Sequence, residues 1–112
     1  MSKLPYTLAM YRVRAGKEEN FMEAWRSLAR TFCSLPEPPL WGTLIRSASD
    51  PSVFYSFGPW EDAAHVSAMR ADAQAREAFQ RLGALCTEMT PGDYEIIEHV
   101  DARRGTNIEP SR

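Results

Sequence analysis

The chain has 112 residues, with 13 basic against 15 acidic side chains and a net charge of −2 at pH 7. That length is one domain, long enough to bury about two thirds of its unfolded surface without staples. A composition of 44 % apolar and 25 % charged residues argues against disorder, collagen and coiled coil, and the faintly acidic balance argues against a nucleic-acid partner.

No apolar run approaches the roughly 20 residues that a membrane span needs. The opening Met1-Ser2-Lys3-Leu4-Pro5 has no apolar core of the kind a signal peptide carries. The expected location is the cytoplasm, with no membrane partner. Cys33 and Cys86 form no C-x-x-C pair. Both follow apolar helical spacings, so two buried, reduced thiols are expected.

Residues 6–14, rich in aromatic and β-branched side chains, read as a first strand that Gly16 ends. Lys17-Glu18-Glu19 then opens a helix, with acids where the macrodipole favours them. Phe21, Trp25, Leu28 and Phe32 recur on one helical face. Pro36, Pro38 and Pro39 stop it. Residues 40–48 and 53–58 read as a second and third strand joined by Ser49-Asp50-Pro51-Ser52, a turn sequence that makes them an antiparallel hairpin.

Residues 59–71 read as a helix. Asp72 can cap a further helical stretch, in which Ala75, Phe79, Leu82, Cys86 and Met89 recur at near-helical spacing. The two stretches are either one bent helix or two short ones. Thr90-Pro91-Gly92-Asp93 reads as a turn, and residues 94–100 as a final strand. Residues 1–102 are thus expected to form one domain, and residues 103–112 a flexible polar tail.

The order is β-α-β-β-α-(α)-β, the ferredoxin-like arrangement of the α+β class. It places helices on one face of a four-stranded antiparallel sheet. The strands nevertheless carry apolar residues on both faces: Leu8 and Met10 alternate with Ala9, Tyr11 and Val13, and Phe54 alternates with Tyr55 and Phe57. A sheet with one wet face alternates apolar with polar, so something must cover the open face. A second copy of the chain is the simplest cover, closed two-fold dimers being the commonest assemblies.

Four segments in this order resemble the antibiotic biosynthesis monooxygenase domain family. They are Tyr11-Arg12-Val13-Arg14-Ala15-Gly16-Lys17-Glu18-Glu19-Asn20-Phe21 leading to Trp25, then Trp41-Gly42-Thr43-Leu44-Ile45-Arg46-Ser47, then Ser49-Asp50-Pro51-Ser52-Val53-Phe54 running into Phe57-Gly58-Pro59-Trp60-Glu61-Asp62, and last Tyr94-Glu95-Ile96-Ile97. The resemblance spans residues 6–100. It implies a dimeric α+β barrel, with a pocket in each subunit between helices and sheet. Some relatives oxygenate phenolic polycyclic anthrones or quinols with neither metal nor flavin; others degrade haem. The Asn-Trp-His triad of the haem branch falls, counted from Gly16 and Trp60, on Ala9, Met69 and Phe79. None matches, so haem degradation is not expected.

Cofactor-free oxygenation needs a substrate anion rich enough in electrons to reduce O₂. It also needs a base, groups that hold the anion, and an apolar pocket. The catalytic candidates are His65, as base or as orienter of a water, and Tyr11, as holder of a phenolate oxygen. Trp60, Trp25, Met69, Phe79 and Ala9 are the candidate substrate-binding residues. Each has a plainer reading: Trp60 and Trp25 as core anchors whose indole N–H finds a partner, His65 as a half-exposed surface histidine. Tyr55, Arg46 and His99 rank lower, and Arg70 reads as part of a solvated helix face. No metal-ligand cluster is visible, so no metal or other cofactor is expected. The expected ligand is a small aromatic molecule. Non-catalytic ligand binding, a structural dimer, or a non-oxidative isomerase or lyase on the same barrel would use the same pocket.

Overall fold

The computed structural model describes residues 4–103 and 106–107. β1 (Pro5–Val13) is followed by α1 (Glu18–Cys33), β2 (Thr43–Arg46), β3 (Val53–Pro59), α2 (Ala63–Ala71), α3 (Ala73–Ala84) and β4 (Cys86–Glu95). A short ribbon, β5 (Val100–Asp101) with β6 (Thr106–Asn107), follows. The main sheet has four strands in the order β2-β3-β1-β4, antiparallel throughout. This is the α+β, ferredoxin-like arrangement read from the sequence.

β1 lies inside the sheet, so both its faces and both its edges are used. Ala9, Tyr11 and Val13 are buried beneath the helices. Their partners across the sheet continue that face: Tyr11 lies opposite Phe54 of β3 and Met89 of β4, and Ala9 opposite Ser56 and Pro91. The intervening residues Tyr6, Leu8, Met10 and Arg12 point the other way, beside Tyr55 and Phe57. On that open face Ile45 and Tyr55 are 48 % and 38 % exposed.

α1 lays its apolar stripe over the sheet, with Phe21 and Leu28 buried. Phe21 packs between Tyr11 and Phe54, at ring-centroid distances of 5.0 and 4.9 Å. A second buried group, Trp60, Val66, Met69 and Ala75, lies under α2 and α3, and Phe32 and Phe79 pack against both groups. α2 and α3 are two helices rather than one bent helix. Asp72 has extended backbone (φ −73°, ψ 128°), and its carboxylate accepts from Ala75 N at 2.9 Å to cap α3. Asp62 caps α2 in the same way, through Ala64 N at 2.8 Å.

The last third of the chain corrects the sequence reading. The helix ends at Ala84, and the residues read as helix end, turn and early strand form β4. The cause is a bulge in the β1–β4 pairing. Val13 faces Cys86, but Arg12 faces Glu88, so Thr87 is an extra residue. The bulge turns Cys86 and Met89, three apart, to the same side, which imitates helical spacing. Pro91 sits within the strand because β4 is an edge strand, where its missing N–H is tolerated. Residues 96–99, expected in the final strand, lie outside any strand. Of the expected tail, Thr106–Asn107 pair with Val100–Asp101; residues 104, 105 and 108–112 lie outside the described residues. Cys86 is buried, whereas Cys33, at the end of α1, is exposed; both are free thiols.

Two glycines are required by geometry. Gly16 turns the chain from β1 into α1 at φ +81°, a conformation that costs other residues strain. Gly58 is crossed by the strand entering β2: a Cβ there would lie 2.1 Å from the Trp41 carbonyl oxygen. Gly58→Ala is therefore expected to destabilise the fold by about 1–3 kcal/mol. Asp72→Ala, which removes a cap, should cost about 1 kcal/mol. Urea midpoints of the two variants against the parent check both figures.

Candidate active site

Between the sheet and the helices lies a cavity of about 370 Å³. Its floor is Ala9, Tyr11 and Ser56 on the sheet, with Met89 and Pro91 from β4. Its roof is Leu28 and Phe32 of α1, Met69 of α2 and Phe79 of α3. The floor is deep because its residues are small: Ala9 stands opposite Ser56 and Pro91, while the aromatic Phe21 and Phe54 fill the neighbouring part of the core. A second cavity of about 220 Å³ lies alongside, with Trp25, Trp41, Trp60 and Cys33 in its wall. The two share Thr7, Leu28, Phe32 and Ser56.

The polar atoms of this region form two short chains. Trp60 Nε1 donates to Thr7 Oγ1 at 3.0 Å. Trp25 Nε1 donates to Ser56 Oγ at 3.1 Å, and Ser56 in turn is hydrogen-bonded to the Tyr11 hydroxyl. Burial pushes the Tyr11 phenol up to about 12; the Ser56 hydrogen bond opposes that rise, and the nearby Cys86 adds to it slightly. Tyr11 is therefore a neutral donor across the physiological range, not a base. Cys86 is likewise raised by burial, with Arg14 opposing.

At the open end, Arg70 of α2 reaches down to Asp93 of β4. Nη1 donates to Oδ2 at 2.7 Å, and Nη2 donates to Oδ1. The hydrogen bonds from Arg70 hold the Asp93 carboxyl below the usual carboxylate range, and Asp93 raises Arg70 in return. Arg76 and Gln80 of α3 complete this rim. Among the described residues no carboxylate or imidazole lines the cavity, and no group of three or more His, Cys, Asp or Glu is placed to hold a metal ion. No described helix is long and apolar enough to cross a membrane.

The family model for antibiotic biosynthesis monooxygenases matches residues 6–81. The chain belongs to that family. Solved structures agree on the fold. SnoaB, a cofactor-independent oxygenase from Streptomyces nogalater, is 17 % identical with a TM-score of 0.79, over 88 % of this chain and 98 % of that one. A conserved protein from Methanosarcina mazei Go1 is 16 % identical with a TM-score of 0.74, over 82 % and 91 %. A protein from Pseudomonas aeruginosa is 18 % identical with a TM-score of 0.72, over 87 % and 97 %. No curated protein matches the sequence.

Within this monooxygenase-family fold, Ala9, Tyr11, Met69 and Phe79 meet in the first cavity. Trp25 and Trp60 lie in the wall of the second, each with its N–H engaged by a sheet hydroxyl. His65 lines neither cavity. Val66 and Met69 take the inward side of α2, and His65 Nε2 faces Glu37 Oε2 at 3.4 Å. Tyr55 belongs to the open face, His99 is exposed, and the Arg46 guanidinium lies over the Phe54 ring at 5.6 Å. Arg70 is exposed, as its helix face led one to expect, and it also holds Asp93 at the rim.

Sequence reasoning missed Ser56, Thr7, Arg76 and the Arg70–Asp93 pair. Ser56 had a signal: two residues beyond the inward Phe54, it is a small hydroxyl among aromatic strand residues. The pair had none, because it joins residues 23 apart across two elements.

The Tyr11 shift makes stability depend on alkaline pH. A phenol raised in the folded state is stabilising in full below the unfolded value near 10, and that contribution is lost as pH rises from 10 through about 12. The amount at stake is about 2–3 kcal/mol. Tyr11→Phe should flatten this part of the stability curve. It should also remove the latest-ionising phenol from the tyrosinate absorbance titration.

Proposed function

We propose that this protein is a cofactor-independent monooxygenase that oxidises a small aromatic, quinol-like substrate with O₂. The observation that carries the reading is the cavity between helices and sheet, apolar in its walls and with Tyr11 in its floor. Family membership and the likeness to SnoaB, a cofactor-independent oxygenase, support it.

In this reading the ring of the substrate lies between Met69 and Phe79 above and Ala9 below. Trp25 can only donate, so Ser56 accepts from it and keeps its own proton for the Tyr11 oxygen. Tyr11 then has its proton free for an oxygen of the substrate. Donation from a buried, neutral phenol favours the substrate anion, whose electrons reduce O₂. One oxygen atom ends on the substrate carbon: a ring CH₂ and O₂ become a ring C=O and H₂O. The substrate supplies all the electrons. The apolar walls keep water from the intermediate.

With no carboxylate or imidazole on the wall among the described residues, the proton leaves to water or to the rim, and the substrate must itself be acidic. That same observation favours a second reading, a dimer that binds such a ligand without turning it over.

The test is oxygen uptake by metal-stripped, flavin-free protein offered quinols, anthrones and catechols. Uptake above the uncatalysed rate is expected, falling on the order of a hundredfold in Tyr11→Phe and lost in Ala9→Leu, which fills the floor. Binding without uptake would select the second reading.

The open sheet face is proposed to pair with a second copy, because it exposes Ile45 and Tyr55 beside Leu8 and Met10. Sedimentation should give the mass of two chains, and Ile45→Lys with Tyr55→Glu should give that of one. A parent chain sedimenting at the mass of one would overturn the pairing.

A further inference from the structure

The first cavity has apolar walls, Thr7, Tyr11 and Ser56 at its floor, and a charged mouth. At its open end stand Arg70, Arg76 and Gln80, all exposed, with Pro91 of the edge strand opposite. The charges at this rim do not cancel. Arg70 is neutralised by Asp93. The acids near Arg76 in sequence are engaged elsewhere: Asp72 with the Ala75 N–H at 2.9 Å, and Glu77 with Arg81 at 3.4 Å. Arg76 forms no ion pair among the described residues and lines the cavity, so the mouth carries one unspent guanidinium.

We propose that this mouth selects an aromatic acid, whose ring enters the cavity while its carboxylate stays at the rim on Arg76. The inference rests on the reading of the cavity as the substrate site, and it names the substrate's second functional group. A carboxylate that followed the ring inward would find one free donor, Tyr11, among the apolar Ala9, Leu28, Met69 and Phe79, and a charge buried with so little pairing is costly. At the rim it meets a planar fork of donors that matches its two oxygens.

The fold already shows this chemistry once. Arg70 holds the Asp93 carboxylate through both nitrogens at the same rim, so the geometry that suits an internal carboxylate is in place beside the free arginine. Gln80 adds an amide donor. The arrangement also orients the ring. With its acid at the mouth, the opposite edge of the ring points to the floor, where Tyr11 can meet the oxygen that becomes anionic.

The experiment compares two probes of nearly equal shape, 2-naphthoate and methyl 2-naphthoate, by calorimetry on the full chain at low salt. The acid is expected to bind about fivefold tighter than the ester, the size of an exposed but well-placed ion pair. In Arg76→Gln the ratio should fall toward one. In Asp93→Asn, which frees Arg70, it should rise. Ala9→Leu should weaken both probes, which places them in the cavity, and thermal melts confirm that each variant is folded.

An ester that binds as tightly as the acid would overturn the selective mouth while leaving the cavity as a ligand site. A preference that survives in Arg76→Gln unchanged would overturn the assignment to Arg76. Binding of neither probe would overturn both the mouth and the aromatic cavity.

Discussion

Nine residues of β1 serve four neighbours at once. The strand must pair with β3 along one edge and β4 along the other, and its alternate side chains must satisfy the helices above and whatever lies below. Period-two alternation leaves no freedom in how this is done. Once Tyr11 is committed to the core with Phe21 and Phe54, Ala9 and Thr7 are committed to the same side, and Leu8 and Met10 to the other. The register that seats the aromatic core is therefore the register that floors the cavity. A slip by one residue would exchange the two faces and lose both.

The cavity follows from a mismatch in size along that face. At one end large rings meet and close the core. Further along, Ala9, Ser56 and Thr7 are short, and the helices bridge above them on Leu28, Phe32, Met69 and Phe79 without descending to fill the gap. Close packing is the rule in protein interiors. Here it is suspended between two well-packed groups linked by Phe32 and Phe79. The polar atoms in this space are ordered by donor-only indoles. The Trp25 and Trp60 N–H groups each take one hydroxyl oxygen, which fixes what that hydroxyl still has to give.

Much of the fold was legible because its signals are local. Alternation in the first strand, the apolar stripe of the first helix, the hairpin turn at Asp50-Pro51 and the cap at Asp72 depend on neighbours a few residues away. The end of the chain was not legible, because the bulge opposite Arg12 and Val13 is a property of two strands together. It gave Cys86 and Met89 the spacing of a helix, and only the unfilled edge of β1 decides between the alternatives. The site divides in the same way. Ala9, Tyr11, Met69 and Phe79 could be picked out as residues of one face or from the family pattern. The partnership of Ser56 with Trp25, and of Arg70 with Asp93, needs the tertiary fold. His65 shows the limit of a helical wheel read without its partner surface: turned one residue's rotation from Val66, it meets Glu37 instead of the cavity.

Asp72 has a further consequence. It is the only residue between α2 and α3, its N–H bonded back to the Met69 carbonyl and its carboxylate bonded forward to Ala75. It works as a stiff elbow, and Arg70 and Arg76 are carried on its two arms. The spacing of those two cations is then set by one backbone corner and not by the side chains that face the ligand. A longer connector at this elbow would change the gauge of the entrance while leaving every wall residue in place. The breadth of molecules admitted and the chemistry performed on them are thereby written in separate parts of the chain.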